Sequence, residues 1–144
     1  KLSMRNYSFW LKAAIISQGM TGIFHVLGII SGSKPNNDIE KMLMDLMQNY
    51  KFDRGSGFLH SMDDIMLAFS ISFSLLLFFS AALNFYLLKT NIAANILKGV
   101  IVINLLTYIP CFITMAMFTF LPPIVCTGLI TLFLLIAFMQ IRKV

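Results

Sequence analysis

The sequence predicts an all-α membrane fold: four transmembrane helices in an antiparallel bundle, an amphipathic helix in the first outer loop, and both termini in the cytoplasm. Three observations lead there. Of the 144 residues, 58% are hydrophobic and only 12% charged, where soluble domains carry about a quarter charged. Four apolar stretches, each near the roughly 20 residues a helix needs to cross a bilayer, occupy most of the chain. All six acidic residues fall in one connecting segment, while seven of the eleven basic residues sit at the opposite ends of those stretches. The apolar runs are continuous, not alternating, so helices are expected over a β-barrel. A single integral membrane domain then covers 1–144.

The first helix is expected over 9–30. Lys1, Arg5 and Lys12 precede or enter it, as in a signal peptide, but its apolar run exceeds the usual 7 to 15 or so residues and no A-x-A-like site follows. It is expected to stay as a helix. Ser31 to Asp64 is the only substantial polar segment. Within it Ile39, Met42, Leu43, Leu46, Met47 and Tyr50 recur at the spacing of an amphipathic helix. Pro35 breaks the chain before it, and Asn37 with Glu40 resembles a capping box, which predicts a helix over 37–50. Such a helix has three uses: lying on the membrane surface, lidding the outer mouth of the bundle, or docking on another subunit.

Phe52 to Gly57 reads as a turn with a flexible hinge. Ser61 and Asp64 form a second capping box, opening a helix over 65–88 with Asp63 and Asp64 at the positive end of its dipole. Lys89-Thr90-Asn91 makes a tight cytoplasmic turn into a third helix over 92–119, in which Pro110 is expected to kink the axis. Leu121-Pro122-Pro123 makes an equally tight outer turn into a fourth helix over 121–141. Turns this short make helices two, three and four antiparallel neighbours.

If four helices alternate, Lys1, Arg5, Lys12, Lys89, Lys98, Arg142 and Lys143 share one side, and all six acidic residues, between Asp38 and Asp64, share the other. The excess of Lys and Arg marks the cytoplasmic side. The net charge of +5 therefore reports topology, and no nucleic-acid partner is expected, because the basic residues form no run interleaved with aromatics. Cys111 and Cys126 are read as small buried hydrophobes, with a disulfide as the alternative. Ligand spacings such as H-x-x-x-H, phosphate-binding glycine loops and nucleophile elbows are absent, so neither a metal nor another cofactor is expected. A haem held between His25 and His60 was weighed and set aside because the two are expected at different depths.

Polar groups inside hydrocarbon are costly, so each is a functional candidate until a structural partner is found. In helix one, Gln18, Thr21, Gly22, His25, Gly28 and Gly32 fall on one stripe, which is expected to face protein. Gly28 and Gly32 are spaced for close approach of another helix. Ser70 and Ser74 of helix two, Asn104 and Tyr108 of helix three and Thr127 and Thr131 of helix four complete a candidate pocket open to the outer leaflet. His25 stands in its wall, and His60, Asp63 and Asp64 at its rim. Read as a site, His25, His60 and Asp64 supply groups for acid–base work. Read structurally, His25 hydrogen-bonds to Gln18 or Asn104 and the aspartates cap helix two. Gly28, Gly32, Met42, Leu46 and Met47 are the expected interface residues.

His25 to Gly28, Ser61-Met62-Asp63-Asp64, Phe69 to Ser74 and Leu83-Asn84 together resemble a family of small uncharacterised bacterial four-helix membrane proteins, over helices one and two. The resemblance implies the bacterial inner membrane and brings no activity. Two functions fit. One is an accessory or structural subunit of a larger membrane assembly, or a lipid-binding bundle, whose partners are the bilayer and other subunits or further copies of the chain. The other is a membrane-embedded enzyme acting on a lipid, quinone or isoprenoid-like substrate, with His25 as acid or base.

Overall fold

The computed structural model describes residues 3–32, 34–53, 55, 57–90 and 92–141, with side chains from residue 7 onward. Lys1, Arg142 and Lys143, used above for topology, lie outside the described residues, as do Arg54 and Ser56 of the expected turn and Asn91 of the next one. The chain runs α1 (Ser3–Ser31), α2 (Asp38–Asn49), β1 (Lys51–Asp53), β2 (Leu59–Ser61), α3 (Met62–Lys89), α4 (Ala94–Phe118) and α5 (Leu121–Ile141).

Four of the five helices are long and apolar enough to cross a membrane: Tyr7–Ser31, Met62–Lys89, Ala94–Phe118 and Leu121–Ile141, of 25, 28, 25 and 21 residues. At about 1.5 Å per residue even the shortest reaches the roughly 30 Å of a hydrocarbon core. Protein covers little of their apolar surface: in the most hydrophobic stretch of α3 only 11% of residues are buried. Leu75, Leu76 and Phe79, for instance, stay more than half exposed, which water would penalise and lipid does not. The chain is a multi-pass membrane protein by this measure.

Helix ends follow local chemistry. Gly32, at φ +62°, ends α1 in the left-handed conformation that a residue without Cβ adopts freely. Asn37 caps α2, its side-chain oxygen accepting from Glu40 N at 2.8 Å, while the Glu40 carboxylate accepts from Asn36 N at 2.6 Å. Ser61 and Asp64 form a reciprocal box at the start of α3: Asp64 N donates to Ser61 Oγ at 3.1 Å and Ser61 N to Asp64 Oδ2 at 2.9 Å. α4 continues through Pro110.

The segment expected as a plain turn and hinge is a hairpin. β1 and β2 pair antiparallel, with Phe52 opposite His60. Three-residue strands are too short to show alternation, so periodicity gave no sign of them. Asp53 Oδ1 accepts from Gly55 N at 2.8 Å, and Gly55 and Gly57 both take the positive φ that a residue without Cβ adopts freely.

The chain divides into two compact units. Unit one comprises Lys1–Gly22 and Leu76–Val144; unit two is Ile23–Leu75. Unit one holds most of the core: Leu11 and Ala14 of α1, Leu97 and Ile101 of α4, and Ile130, Leu134 and Ala137 of α5 are all buried. Within it α4 and α5 pack closest. A Cβ on Gly128 would lie 3.1 Å from the Phe112 ring, and Thr131 Oγ1 donates across to the Tyr108 carbonyl at 3.2 Å.

Candidate functional site

Buried residues of the spanning helices recur at alternating intervals of three and four: Leu11, Ala14, Gln18 and Thr21 in α1, and Leu97, Ile101, Asn104 and Tyr108 in α4. α3 follows the same rule with Leu77 and Asn84, and α5 with Thr127, Ile130, Leu134, Ala137 and Ile141. This is the seam of left-handed helix packing. On three of the seams an amide falls at a matching level, and in unit one they meet. Gln18 Nε2 donates to Ser80 Oγ at 3.0 Å and more weakly to Asn104 Oδ1 at 3.4 Å. Ser80 Oγ donates to Asn104 Oδ1 at 3.0 Å. Asn84 and Asn104 exchange a reciprocal pair at 3.0 and 3.1 Å, and Asn84 Nδ2 also donates to Gln18 Oε1 at 3.2 Å. Asn104 Nδ2 spends its second proton on Val100 O at 2.9 Å.

Every donor and acceptor of the three amides and the serine is thereby used. None of these groups changes charge near neutral pH, and their N–H and O–H groups are committed within the cluster or to Val100 O, so the cluster offers a substrate no free proton. Its chemistry is adhesion: in hydrocarbon it ties α1, α3 and α4 together. The Tyr108 hydroxyl approaches Ser80 and Gln18, extending the cluster by one turn of α4. Of the residues expected to line a pocket, Gln18, Asn104 and Tyr108 are thus brought together. Thr21 instead donates to Ser17 O within α1 at 2.6 Å, and Ser74 to Ser70 O within α3 at 3.0 Å. Ser80 was not singled out from the sequence, and Asn84 only as part of the resemblance, not as a pocket residue. The signal was present, since the row Ser70, Ser74, Ala81 continues at the same spacing to Asn84.

His25, in unit two, is bonded to neither of its two expected partners, which saturate each other. Its ring meets Phe73 edge to face with centroids 5.2 Å apart, and its Nε2 is buried with no hydrogen-bond partner. Among the described residues only Gln140 Oε1 shares that condition, and Gln140 stands one residue from the end of α5. His60 is on β2, stacked on Phe58 with ring planes 7° apart and with Nδ1 3.9 Å from Asp64 Oδ2. Asp64 is committed to the Ser61 box. No group of three or more His, Cys, Asp or Glu capable of holding a metal occurs among the described residues. Cys111 and Cys126 are free and half-buried.

Unit two also contains a cavity of about 900 Å³ between the C-terminal end of α1, α2 and the first turns of α3, walled by Ile29, Leu43, Met47 and Met66, with Lys34, Asp63 and Ser70 among its polar lining. α2 therefore has two apolar faces. Leu43 and Met47 line the cavity, although Leu43 is as exposed as Leu46; Ile39, Met42, Leu46 and Tyr50, one helical row further round, lie outside that lining and are each more than half exposed. Gly28 and Gly32 have no atom of the chain within 4 Å of a would-be Cβ. Gly22 is the glycine of α1 that packs closely, with a Cβ position only 2.8 Å from the Phe78 ring. A second cavity, of about 680 Å³ in unit one, places Lys12 and Lys89 near Tyr7 and Phe85.

Comparison of the chain with protein families, curated proteins and solved structures finds no match in any of the three.

Proposed function

We propose that the chain is a non-catalytic integral membrane protein, an accessory or structural subunit of a larger membrane assembly, whose contact element is α2. The observation that carries this reading is the row Ile39, Met42, Leu46 and Tyr50, exposed on a helix with no buried residue. An uncovered apolar row on a short, capped helix is suited to receive a partner helix at i, i+3, i+4 spacing. The saturated amide cluster supports it from the other side, since the polar residues best buried in the spans are occupied in holding helices together. In this reading the four spans alternate as an antiparallel bundle, and the acidic segment containing α2 faces outward. Both termini are cytoplasmic by the distribution of Lys and Arg, and the membrane is the bacterial inner membrane, as the resemblance implies.

The test is purification of the full chain from its native membrane in a mild detergent, alongside Leu46→Asp and Met42→Asp. A stoichiometric partner, or a second copy, that is retained by the parent chain and lost from both variants at equal expression is the expected result. A parent chain that runs alone, or a partner retained by both variants, refutes it.

One observation favours a second reading: the buried, unpartnered Nε2 of His25 is a free proton acceptor or donor. An enzyme using it would act on a lipid, quinone or isoprenoid-like molecule entering from the outer leaflet, with His60 and Asp64 as auxiliary groups. Loss of a measured turnover in His25→Gln, with the fold retained, would establish that reading over the first.

A further inference from the structure

We propose that the cavity of unit two is a binding site for a phospholipid headgroup that carries both a phosphate and a primary amine. Its volume, about 900 Å³, lies at the upper end of the range for small-ligand sites. Its walls combine aliphatic and thioether side chains, Ile29, Leu43, Met47 and Met66, with charges of both signs, Lys34 and Asp63. Neither charge is spent internally. Among the described residues the only ion pair is His60 with Asp64, and Glu40, the other carboxylate of the cavity, is occupied by the Asn36 backbone and side-chain N–H groups. Among the described residues, Asp63 and Lys34 thus have no ion-pair partner, and both exposed charges border one cavity of mixed polar and apolar lining.

Three arguments select the ligand class. α1 and α3, which wall the cavity, are membrane-spanning helices, so a molecule that reaches it partitions at the membrane interface. The thioethers of Met47 and Met66 adapt their shape to the irregular junction of headgroup and acyl chain. The charge surroundings then choose among headgroups: the segment 34–64 carries six acidic against four basic residues, a net negative balance that favours a headgroup bearing an ammonium over a purely anionic one. Phosphate on Lys34 and ammonium on Asp63 pair both free charges at once. The site uses the inward face of α2 and is independent of the outward row assigned to a partner subunit.

Native mass spectrometry of the full chain in maltoside detergent, titrated with phosphatidylethanolamine or with phosphatidylglycerol of the same acyl chains, tests it. The expected result is one retained phosphatidylethanolamine per chain, preferred about fivefold over phosphatidylglycerol, as suits one partly exposed ion pair. Asp63→Asn is expected to erase the preference, and Met47→Trp, which fills the space without touching either charge, to abolish retention of both lipids. Free phosphoethanolamine at the same concentration is expected not to compete. The proposal is overturned if the parent chain shows no headgroup preference, if Asp63→Asn keeps it, if Met47→Trp binds like the parent while migrating as a folded protein, or if phosphoethanolamine competes equally and so shows a site for the soluble headgroup alone.

Discussion

Replacing Asn104 by Leu keeps the branched heavy-atom skeleton in α4 while removing the hub of the amide cluster. Asn104 Oδ1 accepts from Ser80, Asn84 and, at 3.4 Å, Gln18, and its Nδ2 donates to Asn84 Oδ1 and Val100 O. Three well-formed bonds to α3 are therefore lost. If every freed group stayed bare at about 1–3 kcal/mol each, the cost would approach 5 kcal/mol or more. The local structure argues for less. Gln18 Nε2 keeps Ser80, Asn84 Nδ2 keeps Gln18 Oε1, and the Ser80 hydroxyl can turn to the carbonyl four residues back. Only Asn84 Oδ1 loses its sole partner. At about 0.6 kcal/mol per interhelical bond in a membrane, the net destabilisation is about 2 kcal/mol. Unfolding in mixed micelles with rising dodecyl sulfate fraction, followed by circular dichroism, measures it. In a cycle with Asn84→Leu the reciprocal pair should give a coupling of about 1 kcal/mol, so the double variant is less destabilised than the two singles combined. A cost for Asn104→Leu below about 0.5 kcal/mol, or strict additivity in the cycle, would refute the adhesive role of the cluster.

Gly22→Val should cost about 1–3 kcal/mol in the same assay, because its Cβ would meet the Phe78 ring at 2.8 Å, whereas Gly28→Val, into open space, should be within about 0.5 kcal/mol of the parent. Ser61→Ala removes the acceptor for the Asp64 amide and should cost about 1 kcal/mol, visible as faster hydrogen exchange confined to the first turn of α3. Thr131→Val deletes a hydroxyl whose one proton is shared between the Thr127 carbonyl within α5 at 2.8 Å and the Tyr108 carbonyl of α4 at 3.2 Å, and should cost at most about 0.6 kcal/mol. His25→Phe keeps an aromatic edge against Phe73 while removing the unpaired nitrogen, so it should stabilise the chain by up to about 1 kcal/mol; a loss of stability would mean that the imidazole has a polar partner.

The spans were legible because their signal is composition sustained over 20 residues or more, which no local detail can mask. The two caps were legible for the opposite reason: Asn37 with Glu40 and Ser61 with Asp64 are complete within four residues. The hairpin was not, since a pair of three-residue strands has no periodicity to read and its glycines look the same in a hinge. The polar cluster was half legible. Gln18, Asn104 and Tyr108 stand out as polar residues in apolar runs, but which of Gln18, Thr21 and His25 finds Asn104 depends on the level at which the helices pair, and sequence alone does not set that level. Gly32 shows the same ambiguity: its spacing from Gly28 suggests helix approach, and its positive φ shows it also has the local task of ending α1.

The two units treat their polar groups differently, and that difference bears on where function resides. In unit one the intramembrane amides satisfy one another, so any ligand drawing on them would first have to break bonds that hold three helices together, at about the cost of Asn104→Leu. In unit two Asp63 and Lys34 remain unpaired at the cavity and His25 Nε2 remains unpaired among apolar neighbours. A ligand there breaks nothing. It exchanges the hydration of two exposed charges for its own, a modest gain, and a group that reached His25 would also relieve the cost of an unsatisfied buried nitrogen. Binding energy is thus available in unit two and already consumed in unit one. Substitutions in the amide cluster should accordingly act on stability alone, and those at Asp63 or Met47 on binding with little change in stability.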